Sequence, residues 1–330
     1  MLNQTNDSAV SDHMPMLSEE HAKIYDRQIR LWGVETQNRL NQSRILVYGM
    51  NGLSAEICKN IVLSGVGLVH IMDSQLVTQF DLGCNFLVRE ANIGENRAKA
   101  CHPNLQELNP LMKVTFEEVD SLSVKPKEFF NNFDFIILNN AKLEEQIKIN
   151  NICREKNILF IATNTFGLIV TSFHDYLDNF EYKLKADKGT IQKSDSFVPL
   201  ETALQANLAK VRNLSKMWLG VMTLLIYQAA NNNILPAIED GQALFNFKEN
   251  GHVQKYLPSV TKAQLDMLTL EFCSILCRFA HAEINAVCAV AGGELGQEVI
   301  SVISRDRTPL NNFFVYDAFE TFSGIIEKLH

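Results

Sequence analysis

Two groups of residues in this 330-residue chain have types and spacing that could do chemistry. The first is a glycine loop, Gly49-Met50-Asn51-Gly52, followed by Ser54 and, some two dozen residues after Gly49, by Asp73. Backbone N–H groups at a helix N-terminus attract phosphate through their unpaired donors and the helix dipole. An acid at the end of the next strand is where a dinucleotide-binding unit places its ribose-binding carboxylate. The spacing departs from Gly-x-Gly-x-x-Gly, because Asn51 and Ser54 stand where further glycines would let a nucleotide approach. Close helix–strand packing therefore explains the loop better than nucleotide binding does. The second group is Arg27 with Arg30 one position short of a full turn later, which by residue type alone read as helix-surface charges. Other candidates carry less. Cys273 and Cys277, one helical turn apart, and Cys288 read as buried small hydrophobes. His102 beside Pro103, and His281 near Glu283, lack a nucleophile or ligand set at useful spacing, so they read as structural and no metal site is expected.

These residues need elements to position them. Ser18 can cap a helix with Glu19 and Glu20 in its first turn and Ile24, Ile29 and Trp32 on one face, ended or bent by Gly33. A short helical stretch from Glu35 to Gln42 leads into Arg44–Tyr48, an apolar run bounded by Gly49 that reads as a buried parallel strand. Leu53–Ser64 has helical spacing, and Val69–Asp73 is the next strand. Helix over 94–109, strand over 113–119, strand over 133–138, helix over 142–156 and strand over 158–162 continue the alternation. That is the pattern of a mostly parallel sheet with right-handed crossovers. From Phe166 to Lys185 the pattern turns hairpin-like, and the polar stretch 186–195 reads as a boundary. Residues 200–276 look helical. Cys277–Arg305 reads as one small-residue helix whose Gly292, Gly293, Ala289 and Ala291 pack closely against the sheet. Two short strands, 312–316 and 324–328, close the chain. The expectation is an α/β, Rossmann-like sheet flanked by helices over 18–185 and 277–330, with a helical insertion at 186–276 and a disordered tail at 1–17.

Composition narrows the class. Hydrophobic residues make up 46% of the chain, enough for a large core. A formal charge of −8 argues against a dedicated nucleic-acid binder. No apolar run is expected to span a membrane, and the first 17 residues lack a basic and an apolar segment of a signal peptide. Seven scattered cysteines without a Cys-x-x-Cys pair point to a reducing compartment, cytosol or nucleus.

The string Tyr25-Asp-Arg-Gln-Ile-Arg-Leu-Trp-Gly33, directly before the first strand, resembles the N-terminal signature of the ubiquitin-like-protein activating enzymes. Ala55–Asn60, Gly94–Ala98, Gly292-Gly293 and Gln297–Val299 agree with it. Asn311–Asp317 is similar to the closing strand of the smaller, non-catalytic subunits of the SUMO-activating members. The likeness runs from about Tyr25 to the C-terminus and is loosest between about 175 and 275. Ala286 departs from it, standing where related subunits carry proline.

The resemblance implies an adenylation-type fold, and the chain breaks that pattern at several positions. Asp73 is kept, but Cys84 stands where an arginine would contact phosphate, Arg97 replaces a lysine, and the acid that would help hold Mg²⁺ is missing near Ala141. By resemblance, ATP and Mg²⁺ belong mainly to a larger catalytic subunit, the obligate partner, and SUMO is the modifier activated. No cofactor is expected in this chain, whose degenerate loop is Gly49, Asn51, Gly52, Ser54 and Asp73. Arg27 would then reach into the partner's ATP site, with Arg30 a weaker second. The nucleus, with a cytoplasmic share, is the implied location. Alternatives are an NAD-dependent oxidoreductase using Asp73, or the corresponding half of another modifier's activator, whose larger insertion does not fit this length. The lost Arg, Lys and Asp disfavour a homodimeric adenylating enzyme of the bacterial sulfur-transfer type.

Overall fold

The computed structural model describes residues 24–186 and 189–329, so the expected tail and the Ser18 cap lie outside the described residues. Eight strands form one sheet in the order β10-β9-β6-β5-β4-β1-β2-β3. Five of them are parallel: β1 (Arg44–Tyr48), β2 (Leu68–Asp73), β3 (Lys113–Glu118), β4 (Phe135–Asn139) and β5 (Leu159–Phe166). β6 (Ile169–Asp175), β9 (Phe313–Asp317) and β10 (Ser323–Glu327) extend it antiparallel. The closing strands thus return to the first sheet.

The apolar runs of β1 and β4 are buried because helices cover both faces. Alternate residues feed two cores. Leu46, Ile136, Leu138 and Phe160 face one, together with α5 (Leu143–Lys156), α7 (Lys216–Ala230), α8 (Gly241–Glu249) and α10 (Leu270–Phe279). Ile45, Val47, Ile71 and Ile137 face the other, with α2 (Val34–Gln42), α3 (Gly52–Leu63), α4 (Arg97–Glu107) and α11 (Asn285–Ser304). Short helices α6 (Leu200–Leu204) and α9 (Lys262–Leu265) complete the first layer.

The helical segment after residue 200 is built into this framework. Trp218 is fully buried against Phe313 of β9, their ring centroids 5.3 Å apart. The polar stretch read as a boundary does not break the fold: β7 (Phe180–Ala186) pairs with β8 (Gly189–Asp195) as a hairpin.

Three expectations need correction. Cys277–Arg305 is not one helix; α10 ends at Phe279 and α11 starts at Asn285. The intervening backbone is held elsewhere, since Gly167 N–H donates to the Ala282 carbonyl at 2.7 Å and Glu283 bridges to Gly167. The close packing of α11 is also against a helix rather than the sheet. A Cβ on Gly292 would meet Glu56 Cβ of α3 at 2.5 Å, and one on Gly296 would meet Asn60 Cβ at 2.7 Å, whereas Gly293 faces open space. Moreover, α11 is long and apolar enough to cross a membrane, with a mean hydropathy of 1.4, contrary to the expectation of no such run. Much of it is packed inside the protein, which is how the core helix of a soluble fold passes the same test.

Candidate functional site: the crevice at the ends of β1 and β4

Strand order reverses between β1 and β4, and open α/β sheets bind ligands outside the carboxyl ends of their strands at such a point. A cleft of about 780 Å³ lies there, lined by Gly49 and Asn51 after β1, Asp73 at the end of β2 and the segment Asn139 to Lys142 that ends and follows β4. The structure therefore brings Gly49, Asn51 and Asp73 together as the sequence reading anticipates. Gly49 has φ +87°, and a Cβ there would strike the Asn139 carbonyl at 2.4 Å. Asn51 caps α3, its Oδ1 accepting from Ser54 N–H at 3.1 Å. Asn139 Nδ2 donates to Asn51 and, at 2.8 Å, to Ser54 Oγ, while Thr163 Oγ1 donates to Asn139 Oδ1 at 2.8 Å. The polar atoms of the loop are thus matched to one another.

Asp73 is equally committed. It is 1% exposed, and its carboxylate accepts from Met50 N–H, from Gln75 N–H at 2.7 Å, and from Arg97 Nε and Nη2 at 3.0 and 3.2 Å. Arg97 also reaches Asp81 at 3.3 Å. Four donors fill the acceptor sites of one carboxylate, so Asp73 has no lone pair left for a ribose hydroxyl. That removes the group on which an NAD-dependent oxidoreductase would rely.

The seat at the start of α3 is filled as well, by a residue the sequence reading did not single out. Glu283, in the break between α10 and α11, accepts from Gly52 N–H at 3.3 Å and Leu53 N–H at 3.1 Å. Cys84 and Cys288 add their thiols at 3.3 and 3.4 Å. Burial, and then the neighbouring Glu283 carboxylate, push both thiols upward, so they remain protonated donors. The only hint in the sequence was an acid amid an apolar, small-residue neighbourhood; the α3 N–H groups it accepts from lie more than two hundred residues away.

Around the cleft, Asp73, Asp120, Glu144, Glu145 and Glu283 face Arg97, Lys142 and Lys148. Glu145 is held by Ser121 Oγ at 2.6 Å and by Ser123. Near the missing acid, Ala141 is buried, and its neighbour Asn140 braces β5, accepting from Thr165 N–H at 2.8 Å. The residues present do not fit a magnesium-bound triphosphate, which needs more uncommitted positive charge and fewer opposing carboxylates. Among the described residues, no group of three His, Cys, Asp or Glu is placed to hold a metal ion.

The two arginines lie elsewhere, on α1 (Asp26–Trp32). Arg30 is paired with Asp26, Nη2 to Oδ2 at 2.9 Å. Arg27 is exposed and has no hydrogen-bond or ion-pair partner among the described residues. α1 buries none of its own residues; it is fixed at its ends. Tyr25 is buried over Gly65, its hydroxyl accepting from Asn109 Nδ2 at 2.7 Å, and Trp32 Nε1 donates to Gln37 Oε1 at 3.2 Å. The apolar face expected from Ile24, Ile29 and Trp32 is accordingly not buried, and Ile24, Leu31 and Val34 are open at 51%, 70% and 52%.

The remaining candidates are structural. Cys273 and Cys277 are fully buried, their thiols pushed up to about 11 and about 12 by burial. His102 and His281 each bond a backbone carbonyl, of Val114 and Pro236.

Residues 25–328 match the ThiF family. The chain belongs to the ThiF family. The match runs through both halves of the sheet, from Tyr25 to the end of β10, so this ThiF member includes the helical segment within its fold. It is similar to SUMO-activating enzyme subunit 1 of Rattus norvegicus, 32% identical over 97% of each chain. The protein of that name from Homo sapiens is also 32% identical, over 95% of this chain and 96% of its own. SUMO-activating enzyme subunit 1B-1 of Arabidopsis thaliana is 32% identical over 95% and 97%.

Proposed function

We propose that this chain is the non-catalytic subunit of a SUMO-activating enzyme. It pairs with a larger catalytic subunit and supports ATP-dependent adenylation of the SUMO C-terminal carboxylate, before thioester formation on the partner's cysteine. Similarity over nearly the whole length to proteins named SUMO-activating enzyme subunit 1 supports the assignment. The observation that carries the division of labour is a contrast within the chain. Its own crevice has Asp73, Arg97 and the α3 N-terminus matched internally, while Arg27 stands exposed on an end-anchored helix.

In adenylation a carboxylate oxygen attacks the α-phosphorus, forming one P–O bond while the bond to the departing pyrophosphate breaks. Negative charge builds on the leaving group. A guanidinium offered from Arg27 forks onto phosphate oxygens and stabilises that charge, a geometry a lysine ammonium lacks. ATP and Mg²⁺ are held mainly by the larger subunit. Ile24, Leu31 and Val34, exposed beside Arg27, supply apolar contact area for that partner. We place the assembled enzyme in the nucleus with a cytoplasmic share, which imaging of the tagged chain checks.

ATP–pyrophosphate exchange with SUMO tests the reading. The chain alone is expected to show none and the reconstituted pair full exchange; exchange by the chain alone would overturn it.

A further inference from the structure

Resting on the reading that this chain does not run its own nucleotide chemistry, we infer that Glu283 is a built-in occupant of the phosphate seat. The crevice is closed to nucleotide by a tethered anion, and not only by the loss of cations.

The seat has every feature that attracts a phosphate oxygen: consecutive N–H groups opening a twelve-residue helix, and a glycine whose added Cβ would meet the Cys84 carbonyl at 2.6 Å. In this chain both oxygens of Glu283 are already there. One takes Gly52 N–H and the Cys84 thiol, the other Leu53 N–H and the Cys288 thiol. Each oxygen thus has two donors, which satisfies an ionised carboxylate. The position is not a chance rotamer of a surface acid. The backbone behind Glu283 is pinned, with Gly167 N–H on the Ala282 carbonyl at 2.7 Å and a Gly167–Glu283 bridge. An anion tethered next to its site competes at a high effective concentration, because the entropy of bringing it there is already lost in folding. A free phosphate would have to expel it, since two anions cannot share one pair of N–H donors.

The substitution at Cys84 gains a meaning from this. Where the resemblance expects an arginine that contacts phosphate, a thiol donates to Glu283 instead. The cation and its outside anion have been exchanged together for a neutral donor and an inside anion.

The probe is inorganic pyrophosphate, titrated into the full-length chain and followed by the backbone amide resonances of Gly52 and Leu53 and by thermal unfolding. Wild type is expected to show no saturable shift. Glu283→Ala is expected to bind at least about tenfold more tightly and to gain melting temperature with added pyrophosphate. Glu283→Gln keeps the volume and an acceptor oxygen; it is expected to fold like wild type and to show saturable shifts weaker than those of the alanine variant. Should the alanine variant fail to fold, the glutamine variant carries the test alone. Both variants as unresponsive as wild type, or wild type binding as tightly as they do, would overturn the role of Glu283. Failure of the non-catalytic reading looks different: wild type alone would catalyse ATP–pyrophosphate exchange with SUMO.

Discussion

Arg27 and Arg30 share a helix and a charge, and what separates them is Asp26. Four residues before Arg30, it takes that guanidinium through both oxygens, while Arg27 is left facing solvent. An exposed i,i+4 pair contributes only a few tenths of a kcal/mol. Arg30→Ala should therefore leave exchange by the reconstituted enzyme within about twofold of wild type, a change of that size in free energy. Arg27→Ala should slow it by at least about a hundredfold if its guanidinium stabilises leaving-group charge. Pairing at i,i+4 was legible in the sequence. The commitments of Asp73 to Arg97 and of the α3 N-terminus to Glu283 were not, because each joins segments that only the folded topology makes neighbours.

A buried acid away from the crevice gives a separate test at the same scale. Glu298 of α11 accepts from the Tyr176 hydroxyl at 3.0 Å and Leu310 N–H at 2.8 Å, and burial raises it to about 7 despite those donors. Because the folded value lies above the unfolded one, the native state holds the extra proton between about pH 4.5 and pH 7. The neutral acid's contribution is fully present below that window and is lost as pH rises through it. Glu298→Gln mimics the protonated form, so urea unfolding should show it gaining up to about 3 kcal/mol on wild type between pH 5 and pH 8. A difference independent of pH would remove Glu298 from this account.

At the scale of elements, the alternation of apolar strands and periodic helices was readable along the first 160 residues, because a parallel sheet buried on both faces writes continuous apolar runs. Boundaries were less so. The break between α10 and α11 was hidden because Ala280 to Ile284 are as compatible with helix as their flanks, and it is Gly167 and the α3 N–H groups that pull them out. β8 was hidden for another reason: unlike β7, whose Phe180, Tyr182 and Leu184 alternate with polar residues, it is polar and exposed almost throughout and lacks an apolar alternation to announce it. The glycines of α11 signalled close packing but not the partner. Since Gly292 and Gly296 abut α3, Gly296→Leu should destabilise the chain by about 1–3 kcal/mol through overpacking, whereas Gly293→Ala, in open space, should be neutral or slightly stabilising. Urea unfolding of the two variants separates them; equal losses would contradict the helix-on-helix fit.

At the scale of the whole molecule, one sheet carries two cores, and the helices after residue 200 cover the face that α5 begins to cover. Their packing on Phe313 ties the last strands and the helical segment into one framework. That coverage could not be read from periodicity, which gives each helix an apolar face without saying which side of the sheet it meets. The result is a frame that fixes α1 at its two ends and leaves its middle open, beside a crevice whose polar groups are already satisfied.

The most direct measurement is ATP–pyrophosphate exchange with SUMO, run on this chain alone, on the reconstituted heterodimer, and on the heterodimer carrying Arg27→Ala. The expected results are no exchange, full exchange and strongly reduced exchange in that order, with the variant still co-purifying with its partner. Exchange by the chain alone, or a full rate from the Arg27→Ala heterodimer, would contradict it.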